Sequence, residues 1–169
     1  MIRPILRYGD GPLHTRAAPV ERFDDEFHIL LRDMAETMYA APGIGLAAPQ
    51  IGVPLRVFII DLRVAKEPGA LIEVANPTFV ACDGIQIEEE GCLSLPGFNA
   101  TVARPSRAIV RGQDRDGDAI TIEGTGLLAR ALQHEMDHLE GTLFLERLRG
   151  IRRQLILRRV QKMRRSGRW

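Results

Sequence analysis

The sequence predicts an α+β protein. Mostly antiparallel sheet strands should pack around a metal-bearing central helix, with an N-terminal helix and a basic C-terminal helix. Three observations carry this expectation. Short β-branched runs fill the middle of the chain, helical periodicities flank them, and turn dipeptides join the strands. The order helix, strands, helix, helix argues for α+β with a mostly antiparallel sheet.

The first helix is expected over residues 21–39. Phe23, Phe27, Leu30, Leu31, Met34 and Met38 recur at helical spacing and share one apolar face. Ala41-Pro42-Gly43 should end it. Strands are expected at residues 55–61, 71–74, 78–81, 85–87, 108–111 and 119–122, all short and β-branched. Asp83-Gly84 and Asp116-Gly117 read as hairpin-type turns. Helical spacing returns over residues 125–139 and stops before Gly141. A last helix is expected over residues 144–163, with Gly150 its weak point.

Composition limits the function classes. A chain of 169 residues that is 45% apolar and 27% charged has material for one folded core and is not a disordered or fibrous protein. Its densest β-rich apolar run is Val57-Phe58-Ile59-Ile60, far short of the roughly 18 residues of a membrane span. No apolar signal segment follows Met1, so a cytoplasmic protein is expected. Two cysteines, Cys82 and Cys92, are too few for a disulfide framework. The net charge of +1 hides a division. From Arg147 onward there are nine Arg, one Lys and no acidic residue, while the rest of the chain carries −9. Such asymmetry suits a tail that touches nucleic acid or another anionic surface.

His134-Glu135-Met136-Asp137-His138 is the strongest chemical signal. Histidines four apart lie on one helical face and can reach one metal ion, while Glu135 can reach a bound water without being a ligand. Two surface histidines on a charged helix are the plain alternative. Leu127, Leu128, Ala131, Leu132 and Leu139 flank the motif and argue for a buried helix instead. A third ligand is not found downstream: Phe144 stands where a further His would fall, and Glu146 is the last acidic residue. Upstream, Cys92 in Glu90-Gly91-Cys92-Leu93-Ser94 is the best candidate, and Cys82 reads as an ordinary buried residue. A small-residue segment, Gly43-Ile44-Gly45-Leu46-Ala47-Ala48-Pro49-Gln50, allows close backbone approach to a ligand and offers an amide at Gln50.

Together the segments 43–50, 90–94 and 133–138 resemble the three motifs of the peptide deformylase family, in the same order and with no motif residue missing. Residues 4–10 and Ile51-Gly52-Val53-Pro54 look similar as well, so the resemblance spans residues 3–148. It implies a metal-dependent hydrolase that removes the formyl group from N-terminal formyl-methionine of new peptides and releases formate. It also implies Cys92, His134 and His138 as ligands of one divalent metal with a fourth position for water. Glu135 would be the acid–base, and the Gln50 amide and the Leu93 backbone N–H would stabilise the oxyanion. The backbone around Gly45 would hold the peptide like an added strand. By the same resemblance the metal is Fe2+, with Zn2+, Ni2+ or Co2+ able to substitute.

Ile44, Leu127 and Ala131 are expected to line the methionine pocket, since positions 127, 131, 134 and 138 form one helical stripe. Arg130 leans toward the site and is expected to pair with Glu88 or Glu89 at the pocket mouth, unless it is simply a solvated charge. Asn99 stands where many relatives place an Arg used against the peptide backbone. Residues 1–147 are read as a metal-dependent catalytic domain and 148–169 as its basic helical extension, in a monomer. The resemblance implies ribosomal RNA as the partner of that extension. Two other readings compete. One is a zinc endopeptidase, the other an RNA-associated module whose metal is closed off by Cys82 as fourth ligand.

Overall fold

In the computed structural model, residues 1–63 and 70–169 are described, and two helices clamp the centre of an antiparallel sheet. The first, α1 (Asp25–Ala40), begins where the Asp24 side chain accepts a hydrogen bond from the Phe27 N–H, a cap that sets the start four residues later than the periodicity suggests. A three-residue strand, β1 (Gly45–Ala47), pairs with β2 (Val57–Ile60). All four β2 residues are fully buried, because the strand is covered on both faces. Val57 and Ile59 meet Leu31, Met34 and Met38 of α1. Phe58 and Ile60 turn the other way, onto Ala131, Leu132 and Met136 of α2 (Gly126–Leu139).

The sheet continues through β3 (Ile72–Asp83), β6 (Arg107–Gln113) and β7 (Ala119–Thr125) in the order β1-β2-β3-β6-β7. Residues 71–74 and 78–81, expected as two strands, belong to the single long β3. The register shift between Ala75 and Thr78 that made them look separate is built around Asn76, whose φ is 50°. The Asn76 side chain holds the bulge by bonding the Val20 backbone in both directions and donating to Gln113 Oε1 at 2.8 Å.

A second, two-stranded sheet pairs β4 (Gln86–Gly91) with β5 (Asn99–Arg104). Asp83-Gly84 is therefore not a hairpin turn. It carries the chain from one sheet to the other, whereas Asp116-Gly117 does close the β6–β7 hairpin. The expected last helix is divided as well. A 3-10 turn (Phe144–Arg147) is separated from α3 (Ile151–Arg165) by Gly150 at φ 67°, a left-handed conformation that no helix continues through. Val160 of α3 packs with Leu95, Phe98 and Leu148, and Ile156, Leu157 and Met163 extend that contact. Among the described residues no helix is long and apolar enough to cross a membrane.

Candidate metal centre and active site

Helix α2 lies between the two sheets, so its faces have different neighbours. Leu132, Met136 and Leu139 complete the core under the larger sheet. His134 and His138 face the turn that follows β4, where the Leu95 N–H bonds the Cys92 carbonyl at 3.0 Å and Cys92 is brought over the helix. Cys92 Sγ lies 3.3 Å from His138 Nε2, and the two imidazole Nε2 atoms are 3.2 Å apart. One ligand atom from each of the three residues falls within a mutual 4.8 Å. Three donors of this type, crowded together on and beside a buried helix, match the demands of a borderline divalent ion.

The orientation of His134 has a visible cause. Its Nδ1 lies 2.8 Å from Glu90 Oε2. A carboxylate only accepts, so Nδ1 carries a hydrogen toward Glu90 and Nε2 is the ring atom turned toward Cys92 and His138. Glu90 itself accepts from Arg104 Nη2 at 2.6 Å, Arg104 Nε at 2.7 Å and Arg130 Nη1 at 2.8 Å. Arg104 is 1% exposed and reaches on to Asp137 at 3.0 Å, which Arg147 holds from the other side by two bonds of 2.6 Å. Burial would raise the Glu90 pKa, but His134 and Arg104 outweigh it and hold the carboxyl well below its usual range. Burial likewise opposes a charge on both rings. At His134 the Cys92 sulfur and Glu90 overcome it and raise the pKa, while at His138 burial and the His134 charge together lower it.

Glu135 sits against the backbone of β1. A Cβ on Gly45 would overlap its Oε1, so only glycine leaves room for the carboxylate there. Glu135 is 4% exposed, its Oε2 has no hydrogen-bond partner, and burial pushes its carboxyl up to about 7. Gln50 is anchored through Oε1, which accepts from the Ala47 N–H at 2.9 Å. Its Nε2 donates to Ser94 Oγ at 3.1 Å and lies 3.7 Å from Cys92 Sγ. These groups open on a cleft of about 790 Å³. Ile44, Gly45, Leu93, Ala131 and Leu127 line it, with Leu127 at the mouth and half exposed. The structure thus brings together the ten residues expected to bind metal, carry catalysis or hold substrate.

Two expectations need correction. Arg130 is buried rather than at the pocket mouth, and it pairs with Glu90 rather than Glu88 or Glu89, which face solvent. Cys82 is exposed on β3 and is absent from the ligand cluster, so no closed four-ligand site forms among the described residues. Asn99 pairs opposite Gly91 and lies against it, in the space a side chain at residue 91 would fill. Glu90 and Arg104 were missed as parts of the site. Glu90 is hidden in a run of three acids. Arg104 sits opposite Gln86 across the β4–β5 pair, four positions along β4 from Glu90, so no sequence spacing pairs it with the carboxylate it holds.

A family model for polypeptide deformylase matches residues 2–154. The chain belongs to the peptide deformylase family. A peptide deformylase of Acidobacterium capsulatum is 48% identical over 169 residues, which cover 100% of this chain and 99% of the relative. The crystal structure of a peptide deformylase from Legionella pneumophila is 44% identical with a TM-score of 0.92, covering 99% of this chain and 98% of that one. A Plasmodium falciparum peptide deformylase structure still gives a TM-score of 0.90 at 30% identity, covering 96% and 95% of the two chains. The chain is accordingly a metal-dependent hydrolase of N-terminal formyl-methionine on new peptides. The endopeptidase and structural-metal readings are set aside.

The bond to Glu90 generates a prediction. Glu90→Gln keeps the size of the side chain but loses the charged acceptor. Metal affinity, measured by competition with a chelator, should fall about 10- to 100-fold. Unchanged affinity in the folded variant would mean that something other than Glu90 orients His134.

Proposed function

We propose that Cys92, His134 and His138 hold one ferrous ion, and that Glu135, Gln50 and Leu93 carry the deformylation step beside it. When bound, the ion supplies Lewis-acid activation of water and of the formyl carbonyl. The ion is taken as iron on family resemblance, since one sulfur and two imidazoles would also accept zinc, nickel or cobalt.

The observation that carries these roles is the placement of the Glu135 carboxylate. It is buried, lacks a partner on one oxygen, lies against β1 at Gly45 and lines the same cleft as Cys92 and His134. A carboxyl with a pKa near neutrality accepts a proton from the attacking water and returns it to the departing amine. Gln50 Nε2, fixed by the bonds to Ala47 and Ser94, is a donor ready for the developing oxyanion, and the Leu93 backbone N–H is the second. Ile44, Leu127 and Ala131 enclose the methionine side chain. The Gly45 edge bonds the peptide backbone as an added strand.

We further infer that the enzyme works as a cytoplasmic monomer and that α3 attaches it to the ribosome. Ile156, Leu157, Val160 and Met163 form the inward stripe of that helix. Arg152, Arg158, Lys162 and Arg165 are exposed on the remaining surface, arranged for phosphate contacts. The division is residues 1–147 for catalysis and 148–169 for attachment.

An oxygen-free assay of formate release from formyl-Met peptides, with the unformylated peptide as control, tests the activity. In it, Glu135→Ala should retain its metal and lose about 10²- to 10⁴-fold in turnover. Full turnover in that variant would remove the acid–base role. Reversal of Arg152, Arg158, Lys162 and Arg165 to Glu should abolish low-salt co-sedimentation with ribosomes while sparing formate release. Undiminished co-sedimentation would place the contact elsewhere.

A further inference from the structure

The cleft is longer than a formyl-methionine requires. Past Leu93 it continues along the N-terminal segment, and Ile5 and Arg7 form part of its wall with Pro42, Pro96 and Gly97. This segment is tied to the site itself. The Leu6 N–H donates to the Gln50 carbonyl at 2.7 Å, and the Tyr8 N–H donates to the Ser94 carbonyl at 2.8 Å. Side chains alternate along an extended chain, which is why Ile5 and Arg7 both turn into the cleft.

Three arginines line this cleft, and two are neutralised. Arg3 pairs with Asp33 at 2.7 Å and Arg130 with Glu90 at 2.8 Å. Among the described residues the Arg7 guanidinium has no carboxylate partner. Its Cζ lies 6.0 Å from the centre of the Trp169 ring, and that indole is itself fixed by donating to the Tyr8 carbonyl at 2.8 Å. An aromatic face restrains a guanidinium without cancelling its charge. The nearby Asp10 carboxylate is engaged by the Arg7 backbone N–H at 2.8 Å. Glu89, the exposed acid of the cleft, lies on β4 and makes no ion pair with Arg7. Arg7 is thus a cation on the cleft wall with no carboxylate paired to it among the described residues.

We propose that Arg7 is a specificity-determining residue that favours formyl-methionyl peptides with Asp or Glu directly after the methionine. The inference rests on the formyl group lying at the Cys92, His134 and His138 centre, with the methionine side chain toward Leu127 and Ala131. The peptide then leaves along the Leu93 side, where an acidic second side chain meets the guanidinium.

The test compares formyl-Met-Glu-Ser, formyl-Met-Gln-Ser and formyl-Met-Lys-Ser at low ionic strength in the iron-loaded, full-length enzyme. Wild type should prefer Glu over Lys by about fivefold in kcat/KM, the scale of one partly exposed ion pair. The difference should sit in KM and shrink as salt is added. Arg7→Lys should keep the preference, and Arg7→Glu should reverse it. A Glu-to-Lys ratio unmoved by Arg7→Glu, with formyl-Met-Gln-Ser still hydrolysed, would overturn the role of Arg7 alone. No formate from formyl-Met-Gln-Ser in wild type would overturn this role and the placement of the formyl group together.

Discussion

Glu90 accepts four hydrogen bonds inside the protein, two from Arg104, one from Arg130 and one from His134. The geometry of the Cys92, His134 and His138 cluster follows from that saturation. A buried carboxylate with every lone-pair direction used cannot swing, so the ring it holds cannot swing either. The same arrangement joins three elements by charge: β4 through Glu90, β5 through Arg104 and α2 through Arg130, His134 and Asp137. Buried ion pairs of this kind add little net stability over apolar packing. Breaking one by removing a single partner is another matter, costing about 3–5 kcal/mol, because an unpaired charge is left behind. The network is therefore better understood as fixing geometry than as holding the fold together.

The fold itself rests on apolar layers that share β2. Because Val57–Ile60 is buried on both faces, α1 and α2 are held at set distances on either side of one strand. This brings the edge of β1 against α2 at Gly45 and Glu135, where a methyl group would already be too much. Stability and chemistry meet there. The core positions the helix, the glycine admits the carboxylate, and the carboxylate is left buried, where its charge is disfavoured.

How much of this is legible in the sequence depends on whether the signal is local. His134, Glu135 and His138 are one helical turn, and their spacing alone places them on a shared face. Cys92 was reachable by ligand chemistry, and Gln50 and Leu93 only through resemblance to a family. Glu90 was visible only as the first residue of the Glu-Gly-Cys-Leu-Ser segment, without a role, and Arg104 had no local signature, since the bonds that tie both to His134 and Asp137 join separate elements. Strand β5, Asn-Ala-Thr-Val-Ala-Arg, was overlooked because two alanines and an asparagine dilute its β character. Strand β1 is three residues of Gly, Leu and Ala, which read as a loop until β2 gives it a partner. The joining of two predicted strands into β3 turned on one left-handed asparagine, which pattern reasoning does not detect. Helix α1 and the break at Gly150 were visible because periodicity and a helix breaker are sequence-local.

The central claim is that one sulfur and two imidazole nitrogens from Cys92, His134 and His138 share a single ion with no fourth side chain. X-ray absorption at the metal edge of the iron-loaded protein measures this directly. The account predicts one sulfur scatterer at about 2.3 Å and two imidazole nitrogens near 2.1 Å, with the remaining contribution from a light solvent atom. A spectrum without sulfur, or one with a second sulfur or a third imidazole, would contradict it.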